Sequence, residues 1–367
     1  MRIAIIGGPA LAAEAADLAL AGHDVVLAAW PAEEAALQAI RDAGAVNLVG
    51  EVEHALSGKT GTAAVPVSTI AEAVRGAALV LVAFEPADVE DAFATLAPHL
   101  EPGQVVHIDT YGYWAALRGW KVLAAHGKTE VTLTESIAPL ATGLSTGTDA
   151  RLVWRRRQLP VAAMPASRTE TAFAVLREVF ASVRPAENVL ATGFANLNML
   201  VHPAIALVNV GWFDRATEED GKANFYGAGN TASASRLTEA LDVERQAACA
   251  AFGVPWESVL RYVRDLYGAT GDDFRTLVRN TGLYAMPDHD PQLGIGWLRA
   301  DIPYAVAPFV AVAGLAGARL PLHKGLEAIF CAILGAEIAG RAIGLQELGL
   351  AGADFRAVRR YVTDGAF

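Results

Sequence analysis

The first thirty residues constrain the fold most strongly, because two apolar runs flank one helical pattern. The apolar run at 3–6 is typical of a buried parallel strand, and a glycine-containing turn follows it. The Ala/Leu-rich stretch at 10–21 predicts a helix that stops at Gly22, and residues 25–27 predict a second buried strand. A strand–helix–strand unit of about 30 residues is the usual start of a dinucleotide-binding domain.

The same alternation continues along the first half of the chain. We predict helices over 33–42, 71–75 and 88–96, and strands over 63–67, 79–82 and 104–108. Alternating strands and helices imply a doubly wound parallel sheet of the Rossmann type, whose ligands lie at the carboxyl ends of the strands. Phe84, Glu85 and Thr110 follow two such ends, so we predict that they bind a cofactor. This domain is predicted to span residues 1–188.

The turn after the first strand departs from the usual glycine fingerprint. The pattern G-x-G-x-x-G/A falls on six residues that we predict to bind the cofactor: Gly7, Gly8, Pro9, Ala10, Leu11 and Ala12. Pro9 stands at the middle glycine, where it suits a first helical turn but lacks an N–H and adds bulk. The following helix still offers unpaired N–H groups to a phosphate.

The end of the second strand bears on the choice of cofactor. An acidic residue there normally binds the adenosine ribose and excludes a 2′-phosphate. This chain has Ala-Ala-Trp-Pro at 28–31, which favours NADPH slightly over NADH. No arginine follows at once, so NADH stays open, as does a domain of this fold that binds no dinucleotide.

From Phe194 onward the pattern changes to long helices, and we assign 189–367 to an all-α domain. Three segments in this half carry polar residues in a distinctive order. They are NLNMLVHP at 196–203, DVER at 242–245 and DIPY at 301–304.

These three segments, behind the strand–helix–strand start, resemble the opine dehydrogenase family of the octopine/nopaline type. The resemblance implies an NAD(P)H-dependent reductive condensation, in which the amine of an amino acid and a 2-oxo acid form an imine that is then reduced. It also implies that His202 and Asp301 form a catalytic pair.

The chemistry suits these residue types. Imidazole titrates near neutrality and can donate a proton beside a hydride acceptor, and a carboxylate on its other ring nitrogen fixes the tautomer. A histidine with a purely structural role beside a helix terminus remains the alternative for His202.

A substrate with carboxylate groups requires cations. Arg236 and Arg299 are candidates for bidentate contacts, with surface salt bridges as the alternative. Asn198 is a candidate for a hydrogen bond to substrate, with helix capping as the alternative. Glu135 either faces the same cleft or lies in a solvated loop. The substrates themselves depend on loops at 217–229 and 281–296.

Composition narrows the class of protein. A net charge of -11 argues against nucleic acid and membrane surfaces as partners. The two cysteines have no metal-site or disulfide spacing, so we predict no metal and a cytoplasmic protein.

Apolar stretches at 302–318 and 326–345 are interrupted by proline or charge, which favours buried helices. Small residues at 335–340 suit close helix packing, within the domain or in a homodimer.

The segment 143–147 (GLSTG) matches G-x-S-x-G, but neither a buried strand before it nor an apolar helix after it is predicted, so we reject a nucleophile elbow. Three functions then remain open. They are an opine-type dehydrogenase or imine reductase, a reductase of a simple 2-oxo or 3-oxo acid, and a homologue without cofactor that binds a small molecule or a partner chain.

Overall fold

The computed structural model describes residues 1–282 and 288–366, which divide into two compact units. Unit 1 comprises Met1–Val189 with Tyr361–Ala366, and unit 2 comprises Leu190–Arg360. Within the predicted substrate loop 281–296, positions 283–287 lie outside the described residues.

Unit 1 is built on eleven strands. They are β1 (Arg2–Ile6), β2 (Asp24–Ala28), β3 (Ala45–Val49), β4 (Gly61–Ala64), β5 (Leu79–Val82), β6 (Val105–Ile108), β7 (Thr132–Ser136), β8 (Ala141–Thr146), β9 (Asp149–Arg155), β10 (Leu159–Met164) and β11 (Val183–Pro185). Seven of them form one sheet in the order β11-β10-β7-β6-β5-β1-β2. All neighbours in this sheet are parallel except β10 and β7. The predicted parallel sheet is therefore confirmed.

The helices of unit 1 are short. They are α1 (Ala12–Leu20), α2 (Gln38–Ala43), α3 (Ile70–Val74), α4 (Val89–Leu96), α5 (Ala115–Ala125) and α6 (Thr169–Val179). The helix predicted over 33–42 begins instead as a 3-10 helix, Pro31–Leu37, before α2. This difference decides where Glu33 points, as described below.

The structure also contains a second sheet of four strands, in the order β4-β3-β9-β8, which was not predicted. The strand predicted at 63–67 for the parallel sheet corresponds instead to β4, which pairs antiparallel with β3. The β8 strand of this sheet contains the first four residues of the GLSTG segment, 143–146, and packs on the glycine turn. The hydroxyl of Ser145 donates to the carbonyl of Pro9 at 2.8 Å, and a Cβ built on Gly143 would lie 2.5 Å from the carbonyl of Ala10. The glycine and serine of this motif thus serve strand packing.

The C-terminal segment differs from the predicted domain boundary. We assigned everything from residue 189 onward to the helical domain, whereas Tyr361–Ala366 belong to unit 1. The indole N–H of Trp120 donates to the carbonyl of Gly365 at 2.9 Å. A Cβ on Gly365, whose φ is +81°, would lie 2.7 Å from that indole, so the contact requires a glycine.

Unit 2 is helical, as predicted. Its described elements are α7 (Val189–Phe194), which starts at the boundary, α8 (Asn198–Glu218), α9 (Ala232–Phe252), α10 (Val259–Tyr267), α11 (Phe274–Arg279), α12 (Gln292–Asp301), a π-helical turn (Ile302–Val306), α13 (Ala307–Leu315), α14 (Pro321–Leu334), α15 (Ala336–Arg341) and α16 (Phe355–Asp364), whose residues from Tyr361 onward belong to unit 1. Phe194 packs edge-to-face against Phe252 and Phe309, at centroid distances of 5.5 and 5.6 Å.

The DVER segment on α9 joins three helices. Asp242 accepts a hydrogen bond from the backbone N–H of Val259 at the start of α10, and it pairs with Arg245. Glu244 accepts from the N–H groups of Leu322 and His323, which satisfies two of the unpaired donors at the start of α14. These charged residues are therefore structural.

Two helical stretches, Val189–Glu218 and Gln292–Leu315, are long and apolar enough to cross a membrane by length and composition. Of their apolar windows, 83% and 67% are buried inside the protein. This degree of burial fits core helices.

Candidate active site

The structure brings together the two residues of the implied catalytic pair. His202 lies near the start of α8, and Asp301 is the last residue of α12. The imidazole Nδ1 is 2.7 Å from Oδ2 of Asp301, and the two residues are 6% and 0% exposed. Water cannot replace a hydrogen bond at that depth, so Asp301 orients the ring and fixes which nitrogen carries its proton.

The other ring nitrogen contacts a residue that the sequence analysis missed. The hydroxyl of Tyr226 lies 2.6 Å from Nε2 of His202. Tyr226 belongs to the segment between α8 and α9, inside the loop 217–229 that we expected to shape the substrate pocket. Its only signal in the sequence was an aromatic pair, Phe225-Tyr226, in an otherwise polar loop.

Aromatic rings surround the imidazole. The ring of Trp297 lies 5.0 Å from His202 at 32°, and that of Phe225 lies 5.8 Å away edge-on. Tyr226 stacks on Trp297 at 5.6 Å. A Cβ built on Gly294 would lie 2.0 Å from the ring of Phe225, so α12 approaches this cluster closely only because residue 294 is glycine.

The DIPY segment leaves the α-helical geometry directly after Asp301. Residues Ile302–Val306 form a π-helical turn, in which the N–H of Ala307 donates to the carbonyl of Ile302. Such turns occur often at functional sites, because they redirect side chains within a continuous helix.

The predicted substrate residues of unit 2 have other partners. Arg299 forms an ion pair with Glu337 at 3.1 Å, and both side chains are about half exposed (52% and 54%). Arg236 is exposed and donates to the hydroxyl of Ser233. For Arg299 the structure therefore shows the alternative that we left open, a surface salt bridge.

Asn198 does not cap α8, although capping was the alternative given for it. The N-cap position belongs to Leu197, whose side chain makes no capping bond. The side-chain oxygen of Asn196 accepts from the N–H of Asn198 at 2.9 Å, so the preceding asparagine satisfies this donor.

Glu135 is neither in a loop nor solvated. It lies in β7, is fully buried, and its carboxylate accepts from the N–H of Ala116 at 2.9 Å in the first turn of α5. An acidic side chain at this position stabilises the start of that helix. Glu135 therefore has a structural role at the start of α5, an alternative that the sequence analysis did not consider.

The glycine turn of unit 1 retains few free donors. The N–H of Gly7 bonds the carbonyl of Ala28, that of Leu11 bonds Gly8, and that of Ala12 bonds Pro9. Since proline has no N–H, Gly8 and Ala10 remain as the donors of this turn for a phosphate. A Cβ on Gly7 would lie 3.1 Å from the carbonyl of Ala83, so the turn packs closely against the end of the neighbouring strand β5.

The other predicted cofactor residues lie at the carboxyl ends of β5 and β6. Phe84 contacts Trp30 and Phe93 at centroid distances of 6.3 and 5.8 Å. Glu85 is exposed and precedes a 3-10 turn, and Thr110 is half-buried two residues after β6. These positions border the carboxyl edge, as predicted from the strand pattern.

Buried charges lie beneath the turn. Glu14 on α1 is 3% exposed, and both burial and the neighbouring Asp109 raise its pKa well above the usual range. Arg155 pairs with Asp17 at 2.7 Å and lies 3.7 Å from Glu14. Arg155 is therefore engaged with carboxylates, and it is not the cation that a cofactor phosphate would require.

Glu33 is a second residue that the sequence analysis missed. Oε1 of its carboxylate lies 2.6 Å from the position that a Cβ on Gly8 would take, and its Oε2 is buried without a hydrogen bond to the described part of the chain. A buried acceptor beside the turn suits a ligand with hydroxyl groups. The turn and Glu33 therefore fit a dinucleotide.

Known proteins resemble this chain over most of its length. Residues 185–334 match the family described as NAD/NADP octopine/nopaline dehydrogenase, alpha-helical domain. An opine dehydrogenase from Arthrobacter sp. (strain 1C) is 25% identical over 359 residues, covering 97% of this chain and 96% of that protein. This chain is related to the opine dehydrogenases. The predicted resemblance is confirmed.

Two solved structures show the same two-domain fold. Octopine dehydrogenase with NADH and L-arginine superposes with a TM-score of 0.73 at 16% identity, covering 98% of this chain and 97% of that one. Yersinopine dehydrogenase with NADP+ gives 0.70 at 17% identity, covering 99% and 98%. These two structures show the fold, a Rossmann-type unit and a helical unit. The family match and the curated relative indicate an opine dehydrogenase-like, NAD(P)-dependent oxidoreductase.

Proposed function

We propose that this protein reductively condenses the amine of an amino acid with a 2-oxo acid. The observation that carries the proposal is the buried contact of 2.7 Å between Nδ1 of His202 and the carboxylate of Asp301, in the unit that matches the alpha-helical domain of octopine/nopaline dehydrogenases. Such a pair is suited to hold and deliver one proton.

The overall reaction needs one hydride and one proton. The amine nitrogen forms a bond to the carbonyl carbon of the oxo acid, water leaves, and the resulting imine gains hydrogen at both carbon and nitrogen. A nicotinamide cofactor would supply the hydride when bound. Gly8 and Ala10 would hold its pyrophosphate, and Phe84, Glu85 and Thr110 border the same sheet edge.

His202 and Tyr226 are the groups that would supply the proton. The carboxylate of Asp301 accepts a hydrogen bond from Nδ1–H and holds that proton in place, so the proton available for transfer is the one on Nε2. The hydroxyl oxygen of Tyr226 lies 2.6 Å from Nε2. We assign it as a relay, whose oxygen receives the proton from Nε2 while its own proton passes to the imine nitrogen.

The aromatic cluster serves the same step. Trp297 and Phe225 cover the imidazole, and Phe213 stacks behind Phe225 at 5.6 Å and 15°. Apolar rings exclude water and lower the local dielectric, which strengthens the interaction of His202 with Asp301. Arg236 and Arg299 have no role in this proposal, because their contacts lie on the surface.

The test is the requirement for two substrates. Oxidation of NADH or NADPH is followed with pyruvate and a panel of amino acids, L-arginine among them, each offered alone and together. The proposal predicts oxidation only when both are present and a secondary amine product by mass spectrometry. Oxidation with the oxo acid alone would instead establish a simple oxo-acid reductase, and failure to bind either dinucleotide would establish a homologue without cofactor.

A further inference from the structure

The carboxylate of Glu33 lies against the glycine turn because of how the chain leaves β2. That strand ends at Ala28, and the indole N–H of Trp30 donates to the carbonyl of Ala83 at 2.6 Å. Pro31 then opens the 3-10 helix, and the N–H of Glu33 donates to the carbonyl of Trp30 at 2.8 Å. This tight helix turns the side chain of Glu33 back toward Gly8.

Gly8 makes room for this carboxylate. The position of a Cβ on Gly8 is only 2.6 Å from Oε1 and 3.2 Å from the carboxyl carbon of Glu33. Any larger residue at position 8 would displace the carboxylate. Gly8 therefore leaves open the space that the carboxylate of Glu33 occupies, in addition to its place in the turn.

The surroundings of Glu33 are acidic. Desolvation is the first cause that raises the pKa of its carboxyl group, and the charges of Glu85 and Asp88 add to it. Residues 29–40 contain Glu34 as well, but neither lysine nor arginine. A phosphate with a charge of about -1.5 to -2 would be repelled here.

The position beside the carboxylate of Glu33 suits a ribose, which has hydroxyl groups to donate. In dinucleotide-binding domains, a carboxylate after the second strand accepts hydrogen bonds from the adenosine ribose hydroxyls and excludes a 2′-phosphate. Here the residues that directly follow β2 are apolar, and Glu33 brings its carboxylate to the turn from further along the chain. We propose that Glu33 accepts hydrogen bonds from the adenosine ribose and makes this protein select NADH over NADPH.

This inference rests on the proposed function, since it requires a chain that binds a dinucleotide. It replaces the slight preference for NADPH expected from the sequence, which depended on the absence of an acidic residue directly after β2.

Direct binding tests the inference without any turnover. Quenching of tryptophan fluorescence gives the dissociation constants of NADH and NADPH for the wild type, Glu33→Gln and Glu34→Gln. Glu34 is exposed, and its substitution removes the same charge one residue away. We expect the wild type to bind NADH at least about tenfold more tightly than NADPH, because a hydrogen bond to a charged group is worth about that factor or more. Glu33→Gln should reduce this ratio at least about tenfold, and Glu34→Gln should leave it unchanged.

A modified ligand separates recognition from structure. NADH that lacks the adenosine 2′-hydroxyl should bind the wild type about tenfold more weakly, and this loss should be smaller in Glu33→Gln. The same ligand tests the wild type alone if the variant fails to fold. Equal or tighter binding of NADPH by the wild type, or an unchanged ratio in Glu33→Gln, overturns the inference. Absence of binding for both dinucleotides overturns the proposed function as well.

Discussion

Replacing Asp301 by asparagine removes the negative charge from the proposed His202–Asp301 pair and keeps the shape of the side chain. Two unit charges about 4 Å apart interact by ~4 kcal/mol at the effective dielectric constant of about 20 that suits most protein sites. The 2.7 Å contact and the complete burial of Asp301 place the pair in that regime. An amide oxygen can still accept from Nδ1, so part of the interaction survives. Since ~1.4 kcal/mol is a factor of ten, we expect turnover to fall about 10²–10³-fold.

The assay is single-turnover oxidation of the reduced nicotinamide with saturating amine and oxo acid. Binding of NADH should be unchanged in the variant, because the turn that would hold it belongs to unit 1. Asp214→Asn is a matched control, since Asp214 is an exposed aspartate on α8, the helix that carries His202. Wild-type turnover in Asp301→Asn, with folding intact, would refute the role of the pair.

Three further predictions concern residues around the site and the core of unit 1. Tyr226→Phe keeps the ring but removes the relay hydroxyl, so turnover should fall about 10²-fold; an unchanged rate and pH profile would exclude the relay. Gly294→Ala forces a Cβ onto Phe225, so denaturant unfolding should show a loss of about 1–3 kcal/mol, whereas Gly296→Ala, with open space around it, should not. Burial lowers the pKa of His107 to about 4, so the folded state resists its protonation. Stability should be complete above pH ~6.5 and fall by ~3 kcal/mol as the pH drops to about 4. His107→Gln should flatten that dependence, and a slope equal to that of the wild type would contradict the assignment.

Four strands of the larger sheet, β1, β2, β5 and β6, could be predicted because each is a short apolar run between local signals for turns and helices. The sequences of β7 (TLTES) and β11 (VRP) lack such a run. The second sheet could not be predicted, because its pairing is not local. Asn47 on β3 bonds Asp149 on β9 across 102 positions, and only one side of each strand is buried. A mixed pattern of that kind resembles a loop until its partner strand is known.

The candidate site likewise contains residues that could be predicted from the sequence and residues that could not. The resemblance in the HP and DIPY segments implied His202 and Asp301, and the structure places them in contact. Tyr226 has no such pattern, because its place depends on the path of a loop. The roles suggested for Arg299 and Glu135 depended on charge alone, and charge does not show which partner a side chain meets.

Glu33 shows why the cofactor preference that we propose differs from the one expected from sequence position. The usual rule inspects the residue at the end of the second strand, since an ordinary chain continues from there into a loop that passes the ribose. Pro31 starts a 3-10 helix instead, and its tighter turn returns a later side chain to the same place. A carboxylate within a few ångströms of Gly8 repels a 2′-phosphate, whatever its position in the sequence. Glu33 lies against Gly8, and the charges of Glu85 and Asp88 act on its carboxyl group, so the electrostatics support the proposed selection of the cofactor without that phosphate.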